Sequence, residues 1–299
     1  MTRIGIEIGG TKQQLVAGDA EGNIIDRCRF SVDSTGGGPV IRDRIAEELP
    51  KLIAAHKPER IGVGFGGPVD IAKGTVAVSH QVEGWSGFPL LDWLYDLTSL
   101  PVVIENDANT AALAEALRGA GRGFNPAFYI NMGSGVGGGL VLDGIIYHGA
   151  APGEVEVGHL RLDSDGTTVE DRCSGWATDR AIRAAIADAP NCTLANLIGD
   201  EQGGEAKHLA AALAQNDPLA QSILDTLTRD LAFALSHVTH LFHPQAITLG
   251  GGLALIGEPL RKGIAEKLPE FLMEIYGTGP QIKLAELGED AVPAGALLL

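Results

Sequence analysis

Gly9-Gly10-Thr11-Lys12 and Glu105-Asn106-Asp107 are the segments where residue type and placement together suggest chemistry. The first stands between two stretches that alternate like strands, Ile4, Ile6 and Ile8 before it and Leu15 to Gly18 after it. Exposed backbone N–H groups and a hydroxyl in such a turn can face a terminal phosphate; a plain hairpin turn is the alternative. Gly5-x4-Gly10-Thr11-Lys12 is no P-loop, because threonine precedes lysine and the chain runs on into a strand where that motif opens a helix. In the second segment an apolar strand, Val102-Val103-Ile104, runs out into an alanine-rich helix. A carboxylate on Asp107 then lies at the carboxyl end of a strand, where open α/β sheets bind ligands at the mouth of a cleft. Asp107 as an ordinary helix N-cap is the alternative there.

Further glycine clusters repeat the theme. Gly62 to Gly67 and Gly133 to Gly138 both match G-x-G-x-x-G, yet neither stands between a strand and a helix as a dinucleotide fingerprint does. Gly133-Ser134-Gly135 reads better as a second phosphate cradle facing the first. Gly250-Gly251-Gly252 follows the strand Ala246 to Leu249 and lets a helix from about Leu253 start close to a ligand such as a nucleotide base or ribose. His237, His240 and His243 recur every three residues but lack carboxylate or thiolate partners, so they do not read as a metal site.

The elements that must position these residues follow from periodicity. Strands are expected at the N-terminus, at Asn23 to Val32, Ile61 to Phe65 and Val102 to Glu105, with helices at about Val40 to Ala55 and at Ala108 to Arg118. The grammar then restarts, with strands Ala127 to Met132, Gly138 to Leu142 and Ile145 to His148 ahead of a long amphipathic helix, Pro218 to Phe242. Glu7-Ile8-Gly9-Gly10-Thr11 lies over Asn131-Met132-Gly133-Ser134-Gly135, which implies a duplicated domain with a cleft between the copies. The expected division is an N-terminal α/β domain over 1–118, onto which a helix at 289–299 packs back, and a C-terminal α/β domain over 119–288, joined through Gly119 to Pro126.

Composition sets the outer bounds. The 299 residues carry a formal net charge of -16, which disfavours nucleic acid and anionic membrane surfaces and points to small-molecule partners. Cys28, Cys173 and Cys192 are few, scattered and without a C-x-x-C pair, as expected in a reducing compartment. No signal peptide and no membrane-spanning apolar run is legible, so a cytoplasmic protein is expected.

In order, IEIGGTK (6–12), GxGxGGPVD (62–70), ENDAN (105–109), GSGVGGGLV (133–141), EVGH (156–159), VEDRCSG (169–175), ITLGGGL (247–253) and AGALLL (294–299) resemble the ROK family of sugar kinases across nearly the whole chain. The resemblance implies an actin-like, hexokinase-type α/β ATPase fold of duplicated domains that closes around sugar and ATP, and usually a homo-oligomer, here a dimer. It implies ATP-dependent phosphorylation of a hydroxyl of a small sugar, a hexose or N-acetylhexosamine, with Mg²⁺ as cofactor. Gly9, Gly10, Thr11 and Lys12 match the family's first phosphate loop and Gly133, Ser134 and Gly135 its second, with serine where threonine is commoner. Asn106 and Asp107 match its sugar-binding pair, whose aspartate is the base. Glu156, His159, Glu170 and Gly67 fall on the sugar side, Gly251 and Gly252 on the adenosine side.

Two departures stand out. Glu7 occupies the place of an aspartate at the magnesium and phosphate end, so its carboxylate is displaced by about a bond length. The family's C-x-C-G-x-x-G-C cluster is missing from a shortened Leu160 to Glu170 segment, so no structural zinc is expected and the loop should pack by itself, around Trp176. Two rival functions remain for the same fold. A catalytically weak sugar sensor is suggested by Glu7. A sugar-responsive repressor would carry a helix-turn-helix ahead of the first loop, where only five residues precede Ile6.

Overall fold

A computed structural model of the chain describes residues 1–10, 12–32, 36–79, 82–150 and 155–299. The chain divides into two compact units, one of Met1–Arg118, Gly139–Val155 and Glu289–Leu299, the other of Gly119–Gly138 and Glu156–Gly288. Among the described residues no helix is long and apolar enough to cross a membrane.

In the first unit the chain forms strands β1 (Thr2–Ile8), β2 (Lys12–Asp19) and β3 (Ile24–Ser31), helix α1 (Gly37–His56) and strand β4 (Ile61–Phe65). A small ribbon of β5 (Val69–Asp70) and β6 (Thr75–Val76) follows, then α2 (Leu90–Thr98), β7 (Val102–Asn106) and α3 (Asp107–Leu117). The sheet order is β3-β2-β1-β4-β7, antiparallel across β3, β2 and β1 and parallel from β1 through β4 to β7. Ile4, Ile6 and Ile8 present one face of the sheet to a core that includes Ile41, Ile45 and Leu49 of α1 and Leu90 and Leu94 of α2. Spacings of four residues along α1 place its apolar side chains on one stripe, as a helix packed on a sheet requires.

The opposite face carries glycines where the last helix meets it. A Cβ on Gly62 would run into the carbonyl oxygen of Ala296, and one on Gly5 would stand 2.7 Å from the Pro293 oxygen. Both carbonyls belong to the last helix of the chain, which therefore lies backbone to backbone on β1 and β4 and against α3.

The second unit contains β8 (Ala127–Met132), after which β9 (Val136–Leu142) crosses the unit boundary between Gly138 and Gly139 and leads to β10 (Ile145–Ile146). Helices α4 (Val169–Cys173), α5 (Gly175–Asp188), α6 (Thr193–Ile198), α7 (Leu209–Ala214) and α8 (Pro218–Phe242) precede β11 (Ala246–Gly250), α9 (Glu258–Lys267) and β12 (Gln281–Leu284). The chain ends in α10 (Ala291–Leu298), which belongs to the first unit. The second sheet has the order β10-β9-β8-β11-β12, with β11 parallel to both β8 and β12. A three-strand meander continued by two parallel strands therefore occurs twice, and the duplicated turn-and-strand pattern of the sequence has its counterpart in topology. Asp217 caps the long helix α8, accepting hydrogen bonds from Leu219 N at 2.7 Å and Ala220 N at 3.2 Å, with Pro218 at its first position.

Several expected boundaries move. The strand expected at Ile145 to His148 stops at Ile146, and His148 Nε2 lies 2.6 Å from Glu105 Oε2. No regular helix begins at Leu253; Gly252–Ile256 is a 3-10 turn, and α9 begins only after Gly257, whose φ of 79° breaks the path. Asn106 caps α3 in place of Asp107, which is the first helical residue.

The glycine face yields a stability prediction. In Gly295→Ala the new Cβ would meet the carbonyl oxygen of Thr110 in α3, a backbone atom that cannot swing aside. Overpacking there should cost about 1–3 kcal/mol, read as a lower denaturation midpoint. Gly252→Ala, with nothing within 4 Å of the added methyl, should leave the midpoint nearly unchanged.

Candidate functional site

The carboxyl ends of β1, β4 and β7 lie level, since Ile8 pairs with Phe65 and Phe65 with Asn106. Parallel strands thus deliver three loops to one edge of the first sheet. After β1 the turn through Gly9 closes with a hydrogen bond from Gly9 N to Lys12 O at 3.1 Å. After β4, Gly66 N donates to Ile8 O at 2.8 Å, tying the second loop to the first. A Cβ on Gly66 would stand 3.4 Å from both Gly9 Cα and Asp107 Oδ2. Gly66 is thus the spacer that lets the Gly9 turn and the Asp107 carboxylate approach, a role the G-x-G-x-x-G match did not single out.

Asn106 is buried, and its amide is committed at both ends. Oδ1 accepts from Ala108 N at 2.8 Å and Asn109 N at 3.2 Å, while Nδ2 donates to Gly67 O at 3.2 Å. These bonds orient Gly67 and the start of α3, and so hold Asp107 one residue into the helix with Oδ1 accepting from its own Ala108 N at 2.8 Å. Beneath them the buried carboxylate of Glu105 accepts from Asn106 N at 2.9 Å and Asn109 Nδ2 at 3.1 Å through Oε1, and faces His148 Nε2 at 2.6 Å through Oε2. Neither Gly66 nor this Glu105 support was assigned a part by motif reading.

At the other side of the first turn Glu7 is buried, its Oε1 3.5 Å from Lys12 Nζ and its Oε2 accepting from Gln14 Nε2 at 2.6 Å. Burial raises the Glu7 carboxyl above its ordinary range, while Lys12 and Gln14 pull it down. Gly10 and Lys12 are half-buried in the same turn, and Thr11 lies outside the described residues.

In the second unit the turn after β8 is built the same way. Gly133 N donates to Gly135 O at 3.0 Å, and Gly175 N donates to Gly133 O at 2.7 Å, seating the start of α5 on the turn. Glu170, on α4, accepts from Val136 N at 2.8 Å through Oε2, and a Cβ on Gly135 would stand 2.5 Å from that oxygen. Only glycine leaves room for the carboxylate beside the Ser134 turn. Gly250 of β11 pairs with Asn131 of β8, and Gly251, at φ 80°, packs so closely on Met132 that a Cβ would lie 2.5 Å from its carbonyl carbon. Glu156 precedes and His159 ends the 3-10 turn Val157–His159, both exposed, with Gly158 against the backbone of Val136. Gly252 is exposed. The structure therefore assembles two sets: Glu7, Gly9, Gly10, Lys12, Gly67, Asn106 and Asp107 in one unit, and Gly133, Ser134, Gly135, Glu156, His159, Glu170, Gly251 and Gly252 in the other.

The short segment before Glu170 holds itself by hydrogen bonds. Leu162 N bonds to Thr167 O at 2.8 Å and Val169 N to Leu160 O at 2.9 Å, while Asp163 Oδ1 gathers the backbone N–H groups of Asp165, Gly166 and Thr167 at 3.0 to 3.1 Å. Trp176 is no part of this, being 60% exposed on α5; a bulky ring was expected to fill the loop, but an Asx-type turn needs none. Cys173 is fully buried, and burial pushes its thiol far up. Among the described residues no group of three or more His, Cys, Asp or Glu is placed to hold a metal ion. His240 accepts from Met273 N at 3.3 Å and His243 hydrogen-bonds Tyr276.

Residues 3–299 match the ROK family. The chain is 32% identical over 302 residues to the glucokinase of Halalkalibacterium halodurans, covering 96% of this chain and 91% of that protein. It is 30% identical over 302 residues to the glucokinase of Thermotoga maritima, covering 98% and 95% of the two chains. Among solved structures, a ROK family glucokinase from Streptomyces griseus in complex with glucose and AMPPNP superposes with a TM-score of 0.86 at 30% identity, covering 99% of this chain and 98% of that one. The fold is the actin-like ATPase fold. With the match running from Arg3 to Leu299 and both sheets in place, the chain belongs to the ROK family.

Proposed function

We propose that this protein, an ATP-dependent sugar kinase, phosphorylates a hydroxyl of a hexose with Asp107 as the general base. Glucose is the first sugar to test, since the relatives above are glucokinases. The observation that carries the reading is the placement of Asp107: a carboxylate in the first turn of α3, at the level where the loops after β1 and β4 meet, with Gly66 between it and the Gly9 turn. A base there stands beside the turn suited to the terminal phosphate. Phosphoryl transfer asks for this kind of positioning more than for covalent help from the protein. As the sugar oxygen forms its bond to the γ-phosphorus and the bond to the ADP oxygen breaks, the hydroxyl proton passes to the Asp107 carboxylate.

Lys12 and the glycine turns after β1 and β8 are each suited to phosphate oxygens. Glu156, His159 and Glu170 hold sugar hydroxyls, with Glu170 aimed by Val136 N. Asn106 acts chiefly on Gly67 and on the start of α3, so its part in sugar binding is as much to set Asp107 as to touch the ligand. Gly251 and Gly252 leave the adenosine side open.

Glu7 suits Mg²⁺, a hard cation held by one or two carboxylates together with substrate phosphates. Bound with the nucleotide, Mg²⁺ neutralises charge on the phosphoryl oxygens. What supports this is that Glu7, near the end of β1, has Oε1 3.5 Å from Lys12 Nζ, beside the first turn.

In Asp107→Asn the side-chain oxygen that accepts from Ala108 N is retained while the base is lost. Turnover should fall by about two orders of magnitude or more with glucose affinity kept within about tenfold. Steady-state kinetics and calorimetric binding test this, and near wild-type turnover would remove Asp107 from the role. We also propose that the protein works without structural zinc, its shortened loop being closed by Asp163 and the Thr168–Asp171 capping box. Purified protein should hold less than stoichiometric zinc on elemental analysis. It should also regain full activity after exhaustive chelation when Mg²⁺ alone is restored; a requirement for added zinc would refute this.

A further inference from the structure

A polar row crosses the α10 side of the first sheet. Glu7 of β1 stands directly opposite Gln14 of β2, and Gln14 directly opposite Arg29 of β3. Arg27, two residues earlier on β3, projects from the same face, since side chains alternate along a strand. Gln14 is fully buried and every polar group on its amide has a partner. Its Nε2 donates to Glu7 Oε2 at 2.6 Å and to the Glu289 backbone oxygen at 3.2 Å. Its Oε1 accepts from Arg27 Nη1 at 2.9 Å and Arg29 Nε at 3.2 Å. The arginines are anchored in turn, Arg27 on Asp290 at 2.6 Å and Arg29 on Glu289 at 2.8 Å.

This arrangement admits one orientation of the amide. Flipped, it would set its NH₂ against two guanidinium groups and its oxygen against a carboxylate and a carbonyl. Two arginines, which have no acceptor to offer, therefore force the donor end of Gln14 onto Glu7. The carboxylate is in this way gripped from both sides, by Gln14 on Oε2 and by Lys12 on Oε1.

We propose that Gln14 is a positioning residue that holds the Glu7 carboxylate at the metal and phosphate end of the site, its own amide being locked by Arg27 and Arg29. The inference rests on the reading of Glu7 as the Mg²⁺ carboxylate. It also accounts for a glutamate working there. A longer side chain has one more torsion to restrain, and a hydrogen bond from a buried, fully satisfied donor restrains it. The same row joins β1 to the segment 289–290 that precedes α10.

The test compares wild type with Gln14→Met, Gln14→Asn and Glu7→Gln as full-length proteins. Met keeps the length and removes the donor, whereas Asn keeps the amide but falls short of Glu7 and preserves more of the polar environment should Met fail to fold. Mn²⁺ binding in the presence of ADP, followed by paramagnetic resonance of free Mn²⁺, should weaken by about tenfold in each Gln14 variant and in Glu7→Gln. The Mg²⁺ concentration for half-maximal turnover should rise in parallel, while calorimetric glucose affinity changes by less than about twofold. The double variant Glu7→Gln/Gln14→Met should bind Mn²⁺ no more weakly than Glu7→Gln alone, because both act on one interaction. A purely structural row would lower thermal stability in the Gln14 variants yet leave Mn²⁺ binding at the wild-type level. That result, with Glu7→Gln impaired, overturns the part given to Gln14. Wild-type Mn²⁺ binding in Glu7→Gln overturns the reading of Glu7 itself, and the inference falls with it.

Discussion

Backbone-to-backbone packing of α10 and α3 on the first sheet is the constraint from which the first unit follows. Gly5 and Gly62 present bare backbone to carbonyl oxygens of α10, a Cβ on Gly64 would stand 2.5 Å from the Val292 side chain, and Gly295 returns the favour to α3. With helices this close, the carboxyl ends of β1, β4 and β7 end flush with the first turn of α3, and the residues after them meet without long side chains to bridge a gap. Glu289 and Asp290, just before α10, meet the arginines of β3. Dense packing of this kind transmits displacement, so a methyl group added at the helix contact is felt along the strand edge.

The polar layer on top of this frame is arranged so that backbone loops are aimed by buried side chains. Asn106 spends its whole amide on a helix cap and on Gly67, and Glu105 backs it with bonds to Asn106 N, Asn109 and His148. Glu170 does the same for the turn in the second unit through Val136 N. Buried hydrogen-bonded groups of this kind cost little once satisfied and much if one partner is lost, which suits them to hold loops in one conformation. The loop between His159 and Glu170 applies the same economy, with one aspartate gathering three backbone donors.

Much of this was readable from residue order. Ile4, Ile6 and Ile8, the strands Ile61–Phe65 and Ala127–Met132, and the helix Pro218–Phe242 follow from hydrophobic period together with glycine and proline punctuation, and all appear at or near the expected bounds. The motif series from IEIGGTK to AGALLL identifies the family because it is long and ordered, not because any one glycine cluster is distinctive. Where local signals compete, the order of residues is mute. Asn106 and Asp107 are both good caps, and the choice goes to Asn106 because its amide also reaches Gly67. Trp176 looks like core by type and is exposed, since the turn it was expected to fill closes on its own hydrogen bonds.

By itself, then, the sequence determined the elements, the duplicated strand pattern and the residues able to bind phosphate or accept a proton, because those depend on periodicity, turn chemistry and motif order within a few residues. Only the tertiary structure decided which of them touch. That Gln14 faces Glu7 on one side and Arg29 on the other depends on the register of three strands, and that Glu289 joins them depends on a helix nearly three hundred residues downstream. The grouping of Gly139–Val155 with the first unit is of the same kind. Pairings between distant residues are set by the free energy of the whole packed arrangement, and no local pattern in the chain encodes them.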